Sequence, residues 1–261
     1  MVINPRSGKG SPDATELVDA ARKLGIEPHV LAEGESPDEA ARASGAEILG
    51  MAGGDGSLAP VARVALDSGA AFVCVPFGTR NHFARDLGLD RNDPLAALGA
   101  FSGGTERRVD VGRVSDRIFL NNVSFGVYAG LVHEREHHRR RGEALARARA
   151  LVKVARHRHG LHARVNGKEV RARVLLIGNN RYDVDLFTLG VRERLDEGVL
   201  QLWAAPGWLP TTWEEQVGVS FRIEVPGGRL RAAIDGEPVD LDSPLVLESV
   251  PQALRVLVPA R

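Results

Sequence analysis

The residues from 48 to 66 restrict the fold more than any other part of the sequence. An apolar run leads into Gly53-Gly54-Asp55-Gly56-Ser57, and a helical pattern follows. Glycines let the backbone approach a ligand, and their N–H groups beside a helix N-terminus can surround phosphate oxygens. The alternative is a tight strand-to-helix turn whose glycines serve packing alone. Ser57 is predicted as the N-cap of this helix, with Pro60 in its first turn.

Two further loops follow predicted strands. Residues 4–11 follow the apolar pair Val2-Ile3, and residues 76–84 follow an apolar run. The first loop is only superficially like a Walker A loop, because Gly10 stands after Lys9 where that motif requires Ser or Thr. The carboxyl ends of parallel strands lie along one edge of a sheet, so we expect the three loops to form one site.

The first 110 residues alternate short apolar runs with helical patterns, which is typical of βαβ units and a parallel sheet. Ser36 is expected to cap the second helix, with Glu39 completing a capping box. The predicted strands are 2–3, 28–31, 48–52 and 72–76, and the predicted helices are 14–24, 37–43, 58–66 and 83–87.

After residue 110 the pattern changes to short strands with turn signals, which favours an antiparallel β-sandwich. Asn166-Gly167 and Pro226-Gly227-Gly228 are predicted hairpin turns. The predicted strands are 118–125, 162–165, 170–177, 199–204, 221–225, 229–234 and 254–258. We therefore predict two domains, an α/β domain over 1–110 and a mostly β domain over 111–261.

Charge is balanced overall but concentrated locally. Lys and Arg together number 34, as do Asp and Glu, so the whole chain has no bulk field to attract a nucleic acid. The segment 133–162 holds nine Lys and Arg residues against three Glu and carries an apolar stripe at helical spacing. It is predicted to be a helical insertion that packs on the sandwich, and its arginines could also contact anionic lipid headgroups.

The single cysteine, Cys74, excludes an intramolecular disulfide and lies in an apolar run, where a buried structural thiol is expected. The sequence has no signal-peptide pattern and no apolar stretch approaching the ~20 residues of a spanning helix. These features predict a cytoplasmic protein.

The three loops together carry a resemblance to a known family. Asn-Pro-x-Ser-Gly, Gly-Gly-Asp-Gly-Ser and Pro-x-Gly-Thr-x-Asn-x-Phe-Ala occur here in that order, and the match continues through much of the remaining chain. The later matching segments are Val109-Asp110-Val111-Gly112, Phe119-Leu120-Asn121-Asn122, Leu195 to Leu200 and Asp235-Gly236-Glu237. The sequence resembles the diacylglycerol kinase catalytic family, whose wider superfamily includes sphingosine and NAD kinases.

The resemblance implies a nucleotide-binding α/β domain, a β-sandwich domain, ATP and Mg²⁺. It implies that Glu237 is the general base, that Asp55 acts through the Mg²⁺ of the nucleotide or through substrate geometry, and that Asp110 helps to orient the base. From spacing alone, Asp235-Gly236 is a hairpin turn. The residues implied to hold the nucleotide are Asn4, Ser7, Gly8, Gly53, Gly54, Asp55, Gly56, Ser57, Gly78, Thr79 and Asn81.

The resemblance also implies a structural Mg²⁺ bound by Glu197 and by backbone carbonyls near Arg194 and Val199. The alternative is a pair of surface acids beside a turn, and Glu197 stands where the family has the shorter Asp. Other departures from the family pattern are Ala59-Pro60 in place of Asn-Glu, His82 in place of Asp, and the absence of a Thr near 32–34.

These residues together predict an ATP-dependent kinase that phosphorylates a hydroxyl of a diacylglycerol-like lipid, working at the inner face of a membrane without crossing it. Two alternatives stay open. One is a kinase for a soluble acceptor such as NAD, and the other is a nucleotide-binding regulator without catalysis, which the departures at Ala59-Pro60 and His82 allow.

Overall fold

The computed structural model describes residues 1–8, 12–126, 160–185, 188–206 and 213–260. The chain divides into two compact units: unit 1 is Met1–Val111, Val191–Glu197 and Val250–Arg261, and unit 2 is Gly112–Gly190 and Gly198–Ser249. The first change of unit falls close to residue 110. The segments 191–197 and 250–261, which the sequence had placed in the second domain, belong to unit 1.

Unit 1 is built on a parallel sheet whose strands lie in the order β2-β1-β3-β4, and residues 256–257 of β18 (Leu245–Val258) pair parallel with β4. The four strands are β1 (Val2–Ile3), β2 (His29–Val30), β3 (Ile48–Gly53) and β4 (Ala71–Pro76). β3 and β4 are almost wholly buried, because helices cover both faces of a parallel sheet. Cys74 is buried in β4, as predicted.

The helices of unit 1 follow the predicted pattern, with differences at their starts. They are α1 (Ala14–Lys23), α2 (Pro37–Ser44), α3 (Asp55–Ser68), α4 (His82–Asp86), α5 (Pro94–Ala97) and α6 (Ala100–Gly103). The prediction of Ser57 as N-cap is wrong, because α3 begins at Asp55 with Gly54 as its N-cap. Ser57 therefore lies in the first turn, and Pro60 is the sixth helical residue, beyond the first turn.

The predicted capping box at Ser36 and Glu39 is also wrong. Ser36 is the N-cap of α2 but makes no side-chain cap bond, because its hydroxyl donates to the Asp38 carboxylate. A complete capping box stands at α1 instead, where Asp13 accepts from the Glu16 amide and the Glu16 carboxylate accepts from the Asp13 amide.

Unit 2 is an antiparallel sandwich, as the sequence predicted. One sheet has the order β14-β13-β10-β7-β16-β17, and in the other β18 pairs with β15, β15 with β8 and β8 with β9. The strands are β5 (Thr105–Val114, of which 112–114 belong to unit 2), β6 (Arg117–Phe119), β7 (Asn122–Gly126), β8 (Leu161–Val165), β9 (Lys168–Ala172), β10 (Val174–Asn179), β11 (Val184–Asp185), β12 (Thr188–Leu189), β13 (Leu200–Ala205), β14 (Glu214–Gly218), β15 (Ser220–Glu224), β16 (Arg229–Ile234) and β17 (Glu237–Asp242). Residues from both sheets, among them Phe125, Leu202 and Phe221, form one apolar core.

Two long predicted strands are divided in the structure. The range 118–125 splits into β6 and β7, and 170–177 splits at Arg173 into β9 and β10, which lie in different sheets. The Pro226-Gly227-Gly228 turn is not a hairpin for the same reason, because it carries the chain from β15 to β16 in the other sheet. Asn166-Gly167 is a confirmed hairpin turn with both residues at positive φ, 49° and 81°.

Most of the basic segment 133–162 falls in the range 127–159, outside the described residues. The helical insertion therefore stays a prediction.

The β16–β17 hairpin closes through Asp235 and Gly236, at φ 48° and 87°, with Ile234 paired to Glu237. Asp235 is buried, and its carboxylate accepts three backbone N–H groups: Leu120 at 2.8 Å, Asn121 at 2.8 Å and Asn122 at 3.0 Å. These bonds fix the turn that begins β17 to the segment between β6 and β7.

Replacing Asp235 with Asn is expected to lower the free energy of unfolding of unit 2 by about 2 kcal/mol, because an amide nitrogen then faces buried N–H donors. Asn tolerates the positive φ of this position, so the turn itself is preserved. Urea denaturation followed by tryptophan fluorescence measures the change, since all three tryptophans lie in the chain range of unit 2. Asp240→Asn, on the exposed face of the same hairpin, is the control and should change little. Equal effects of the two substitutions would show that the Asp235 bonds contribute nothing.

Candidate functional site

The loops that follow β1 and β3 are directly bonded to each other. Asn4 directly follows β1, and its backbone N–H donates to the Ala52 carbonyl at 2.9 Å. Its side-chain Nδ2 donates to the Ser57 hydroxyl at 3.2 Å, while its Oδ1 accepts the Arg6 amide at 3.1 Å. Asn4 and Ser57, which the sequence assigned to one site, are therefore in contact.

The loops that follow β3 and β4 approach each other through glycines. The Phe77 amide donates to the Gly53 carbonyl at 3.2 Å. A Cβ built at Gly78 would overlap the Cα of Gly54 and would stand 2.9 Å from its nitrogen, so any side chain here would separate the two loops. A Cβ at Gly8 would instead overlap a side chain, the Phe77 ring. Close approach of two backbone segments therefore explains the glycine at position 78, and contact with an aromatic ring explains the glycine at position 8.

Asp55 makes the third connection. Its two carboxylate oxygens accept the amides of His82, at 3.1 Å, and Phe83, at 3.0 Å, which are the first two residues of α4. The N-cap residue of α4, Asn81, makes no side-chain cap bond, so the carboxylate from the other loop satisfies this helix end. Sequence reasoning assigned Asp55 to the site but missed this structural role.

Asn81 holds its own loop together. It is buried at φ 50°, its Oδ1 accepts the Gly78 amide at 2.9 Å, and its Nδ2 donates to the carbonyls of Gly78, at 3.0 Å, and Arg91, at 3.2 Å. The side chain is thus committed to backbone groups. Thr79, in the same loop, is exposed.

Burial is the main cause of the pKa shifts of two side chains near these loops, Cys74 and His82. It raises the pKa of the Cys74 thiol far above its usual value, and the nearby Asp55 carboxylate adds to this rise, so the thiol stays protonated. Burial also lowers the pKa of His82, with Arg85 and Arg80 acting in the same direction and Asp55 opposing them. The His82 Nδ1 atom is buried and has no hydrogen-bond partner among the described residues.

This arrangement suits a phosphate ligand. Three loops come together at the carboxyl edge of a parallel sheet, and the N-terminus of the 14-residue helix α3 begins at the Gly54–Gly78 contact. Anion sites in proteins use the positive end of a helix dipole. They also use glycines, because a ligand can come close to the backbone N–H groups where there is no side chain. The residues of the loops therefore fit a nucleotide phosphate.

Asp110 is buried in unit 1 and is bonded on both sides. Its N–H donates to the Leu195 carbonyl at 2.7 Å, and its Oδ1 accepts the amide of Gln252, a residue at φ 49°, at 2.7 Å. Glu237 is exposed at the start of β17 in unit 2, directly after the Asp235 turn. An orienting role of Asp110 toward Glu237 stays a prediction.

The ligands implied for the structural Mg²⁺ lie in the segment 194–199. In the ranges that the structure describes, no group of three or more His, Cys, Asp and Glu side chains could hold a metal ion. Near Glu197, the Arg194 guanidinium pairs with Asp196 at 3.0 Å, and this hydrogen bond is the main cause that raises the pKa of Arg194. A Mg²⁺ ion usually keeps several water ligands beside one or two carboxylates, so the structural Mg²⁺ at Glu197, Arg194 and Val199 stays a prediction.

Sequence reasoning missed a buried ion pair at the C-terminal end of α4. The carboxylate of Asp86, at the end of α4, pairs with Arg192 at 2.7 Å, and neither side chain is exposed to solvent. The two residues are 106 positions apart in the sequence, so spacing gave no signal for the pair.

Comparison with known proteins decides the family. The family model for the diacylglycerol kinase catalytic domain matches residues 1–114. A Pseudomonas aeruginosa protein named "Probable lipid kinase YegS-like" is 30% identical over 280 residues, covering 96% of this chain and 91% of that protein. The chain belongs to the diacylglycerol kinase catalytic-domain family.

Other relatives agree with this family. A protein of Bacillus subtilis named "Diacylglycerol kinase" is 33% identical over 90 residues, covering 34% of this chain and 30% of that protein. A crystal structure of a diacylglycerol kinase from Bacillus anthracis matches the fold with a TM-score of 0.67 at 17% identity, over 98% of this chain and 95% of that one.

Family membership confirms two predictions. The fold is that of diacylglycerol kinases, and the enzyme class is a phosphotransferase with an alcohol acceptor. Among the helices that the structure describes, none is long and apolar enough to cross a membrane.

Replacing Gly78 with Ala is expected to lower the free energy of unfolding by about 1–3 kcal/mol, because the added methyl group overpacks against the Gly54 backbone. Gly103→Ala is the matched control: its Cβ would meet no atom within 4 Å, and Ala favours the helical conformation of α6. Thermal unfolding should therefore shift down for Gly78→Ala and stay level or rise for Gly103→Ala. A level midpoint for Gly78→Ala would show that the two loops do not touch.

His82 is expected to make folding sensitive to acid. Its pKa in the folded chain lies below the ordinary value of 6.5, so the unfolded chain takes up the proton first. The free energy of unfolding should therefore fall as the pH drops through about 6.5, and His82→Gln should reduce that fall. Denaturation midpoints of both proteins between pH 7.5 and 5 measure the difference, and identical pH profiles would contradict the low pKa.

Proposed function

We propose that this protein is an ATP-dependent kinase that transfers the γ-phosphoryl group to a hydroxyl of a diacylglycerol-like lipid. The observation that carries the proposal is the joining of three loops at one sheet edge by the bonds of Asn4 and Asp55 and by the Gly54–Gly78 contact. Membership of the diacylglycerol kinase family and the lipid kinase names of the relatives support the choice of acceptor.

The nucleotide phosphates would lie against the glycine loops. The backbone at Gly53, Gly54 and Gly78 and the N-terminus of α3 would hold phosphate oxygens, with Ser7, Gly8, Gly56 and the exposed Thr79 at the rim. Asn4, Ser57 and Asn81 would act by fixing the loops, since their side chains are bonded within them. A Mg²⁺ ion accompanying the ATP would neutralise charge on the β- and γ-phosphates. Asp55, a carboxylate in these loops, would act through that Mg²⁺ ion or through the geometry of the substrate.

Glu237 is the proposed general base. As the lipid hydroxyl oxygen bonds to the γ-phosphorus, the bond from that phosphorus to the bridging oxygen breaks, ADP leaves with the electron pair, and the hydroxyl proton passes to the Glu237 carboxylate. The Asp235 bonds support this role, because they fix the turn from which Glu237 projects.

The acceptor would be reached at a membrane surface, with the protein bound peripherally. The charge of the segment 133–162 supports this part of the proposal, since each cation near an anionic surface contributes about 1 kcal/mol.

Transfer from labelled ATP to a panel of lipids in mixed micelles, including diacylglycerol, tests the proposal. Glu237→Gln is expected to lower the rate by about 100-fold to 10,000-fold, the range for loss of a general base. Glu214→Gln, another exposed glutamate of unit 2, is the control and should keep the wild-type rate.

Each other outcome selects a different function. Transfer to NAD without micelles would select a kinase for a soluble acceptor. Tight ATP binding without transfer to any lipid would select the regulator, for which Ala59-Pro60 and His82 are the departures from the family pattern. Equal lipid labelling by wild type and Glu237→Gln would remove Glu237 from the mechanism.

A further inference from the structure

The carboxylate of Asp86 is bound by two arginines. Its Oδ1 accepts from Arg85, with Nε and Nη2 each at 2.8 Å, and its Oδ2 accepts from Arg192 Nε at 2.7 Å. The Asp86 and Arg192 side chains are fully buried, whereas 20% of the Arg85 side chain is exposed. Of these two arginines, Arg192 is the one that neutralises Asp86 away from water.

A buried pair of this kind fixes geometry. Each charge is unfavourable in the interior unless its partner stays in place, so α4 and the segment 191–197 can be separated only by exposing or unpairing both charges. The same segment is also hydrogen-bonded to β5, because the Leu195 carbonyl accepts the Asp110 amide at 2.7 Å. Arg192 thus projects from a segment that is itself anchored.

Helix α4 depends on such anchors. With five residues it is far shorter than the roughly 12–15 residues at which an isolated helix becomes even marginally stable. Its first two amides are held by Asp55, and its last residue is held by Arg192. Both ends of α4 are therefore fixed by charged side chains from elsewhere in unit 1.

The position of α4 also fixes the position of the loop before it. Asn81 is the N-cap of α4, and its side chain bonds the Gly78 amide and carbonyl. A shift of α4 would move Gly78 against Gly54, where a contact this close leaves no room. Arg192 therefore influences the Gly54–Gly78 contact through Asp86, α4 and Asn81 in turn.

We propose that Arg192 is a positioning residue for the nucleotide site, holding the Gly78 loop in place through Asp86 and α4. The link to binding rests on the proposed function; the mechanical link to α4 does not. Arg192 acts without touching a substrate, and the proposal assigns to it the geometry of the loop in addition to the stability that the buried pair contributes.

The test compares Arg192→Met with Arg42→Met. The control also removes an arginine from an aspartate ion pair in unit 1, but in that pair Arg42 is exposed and its partner Asp38 on α2 is only half-buried. Two measurements are made on each protein at a temperature where it is fully folded: amide hydrogen exchange, and calorimetric binding of the nonhydrolysable ATP analogue AMP-PNP with Mg²⁺.

Arg192→Met is expected to speed exchange of the His82 and Phe83 amides by about tenfold relative to those of β3, and to weaken AMP-PNP binding by a similar factor. A general loss of stability would speed exchange in both places alike, so the ratio isolates positioning. Arg42→Met should change neither quantity. If Arg192→Met does not fold, Asp86→Leu/Arg192→Met replaces both charges with apolar groups, a change that often preserves folding, and the same faster exchange at α4 is expected.

Unchanged relative exchange at His82 and Phe83 in the folded variant would overturn the inference, as would faster exchange with AMP-PNP affinity equal to that of wild type. Wild-type protein that binds no AMP-PNP would instead count against the proposed function, and the exchange ratio would still decide whether Arg192 positions α4.

Discussion

The candidate site depends on one carboxylate. Asp55 belongs to the glycine loop after β3, yet both of its oxygens are bonded to the amides that begin α4 after β4. This bridge closes the two loops onto each other at the Gly54–Gly78 contact, and Asn4 adds the loop after β1 through Ser57. Without it, the first amides of a five-residue helix would lack an acceptor in the structure described.

An acid at this position has two effects that need to be separated in any experiment. Asp55 brings negative charge close to loops that fit an anion. That charge is tolerable because both carboxylate oxygens are engaged by N–H donors. Its replacement would therefore alter loop geometry and local charge together. Gly78 and Arg192 are better probes of geometry, since neither carries a proposed chemical step.

The sequence predicted what depends on neighbours along the chain. Periodicity and glycine placement located β3, α3 and β4, and the turn pair Asn166-Gly167 was read correctly because its chemistry is local. The Asp13–Glu16 capping box has the same local character and could have been recognised, whereas the serine at position 36 turned to Asp38. The family motifs also place Asn4, Ser57 and Asp55 in one site, in agreement with the contact between Asn4 and Ser57.

What the sequence could not predict depends on residues far apart. The bonds of Asp55 reach 27 and 28 residues along the chain, those of Asp235 more than 110, and the Asp86–Arg192 pair 106. Arg173 and the turn at 226–228 move the chain between sheets without any change in strand pattern, so the run 170–177 looked continuous. Arginine is rarely fully buried unless it is paired, and the ion pair with Asp86 explains the burial of Arg192.

Backbone amide NMR of the wild-type protein, titrated with AMP-PNP and Mg²⁺, tests most directly whether the three loops form one phosphate site. The account expects the amides of Gly8, Gly54 and Gly78 to shift together along one saturation curve. Saturable binding that leaves Gly54 and Gly78 unshifted, or that moves them with different affinities, would contradict a single site built by these loops.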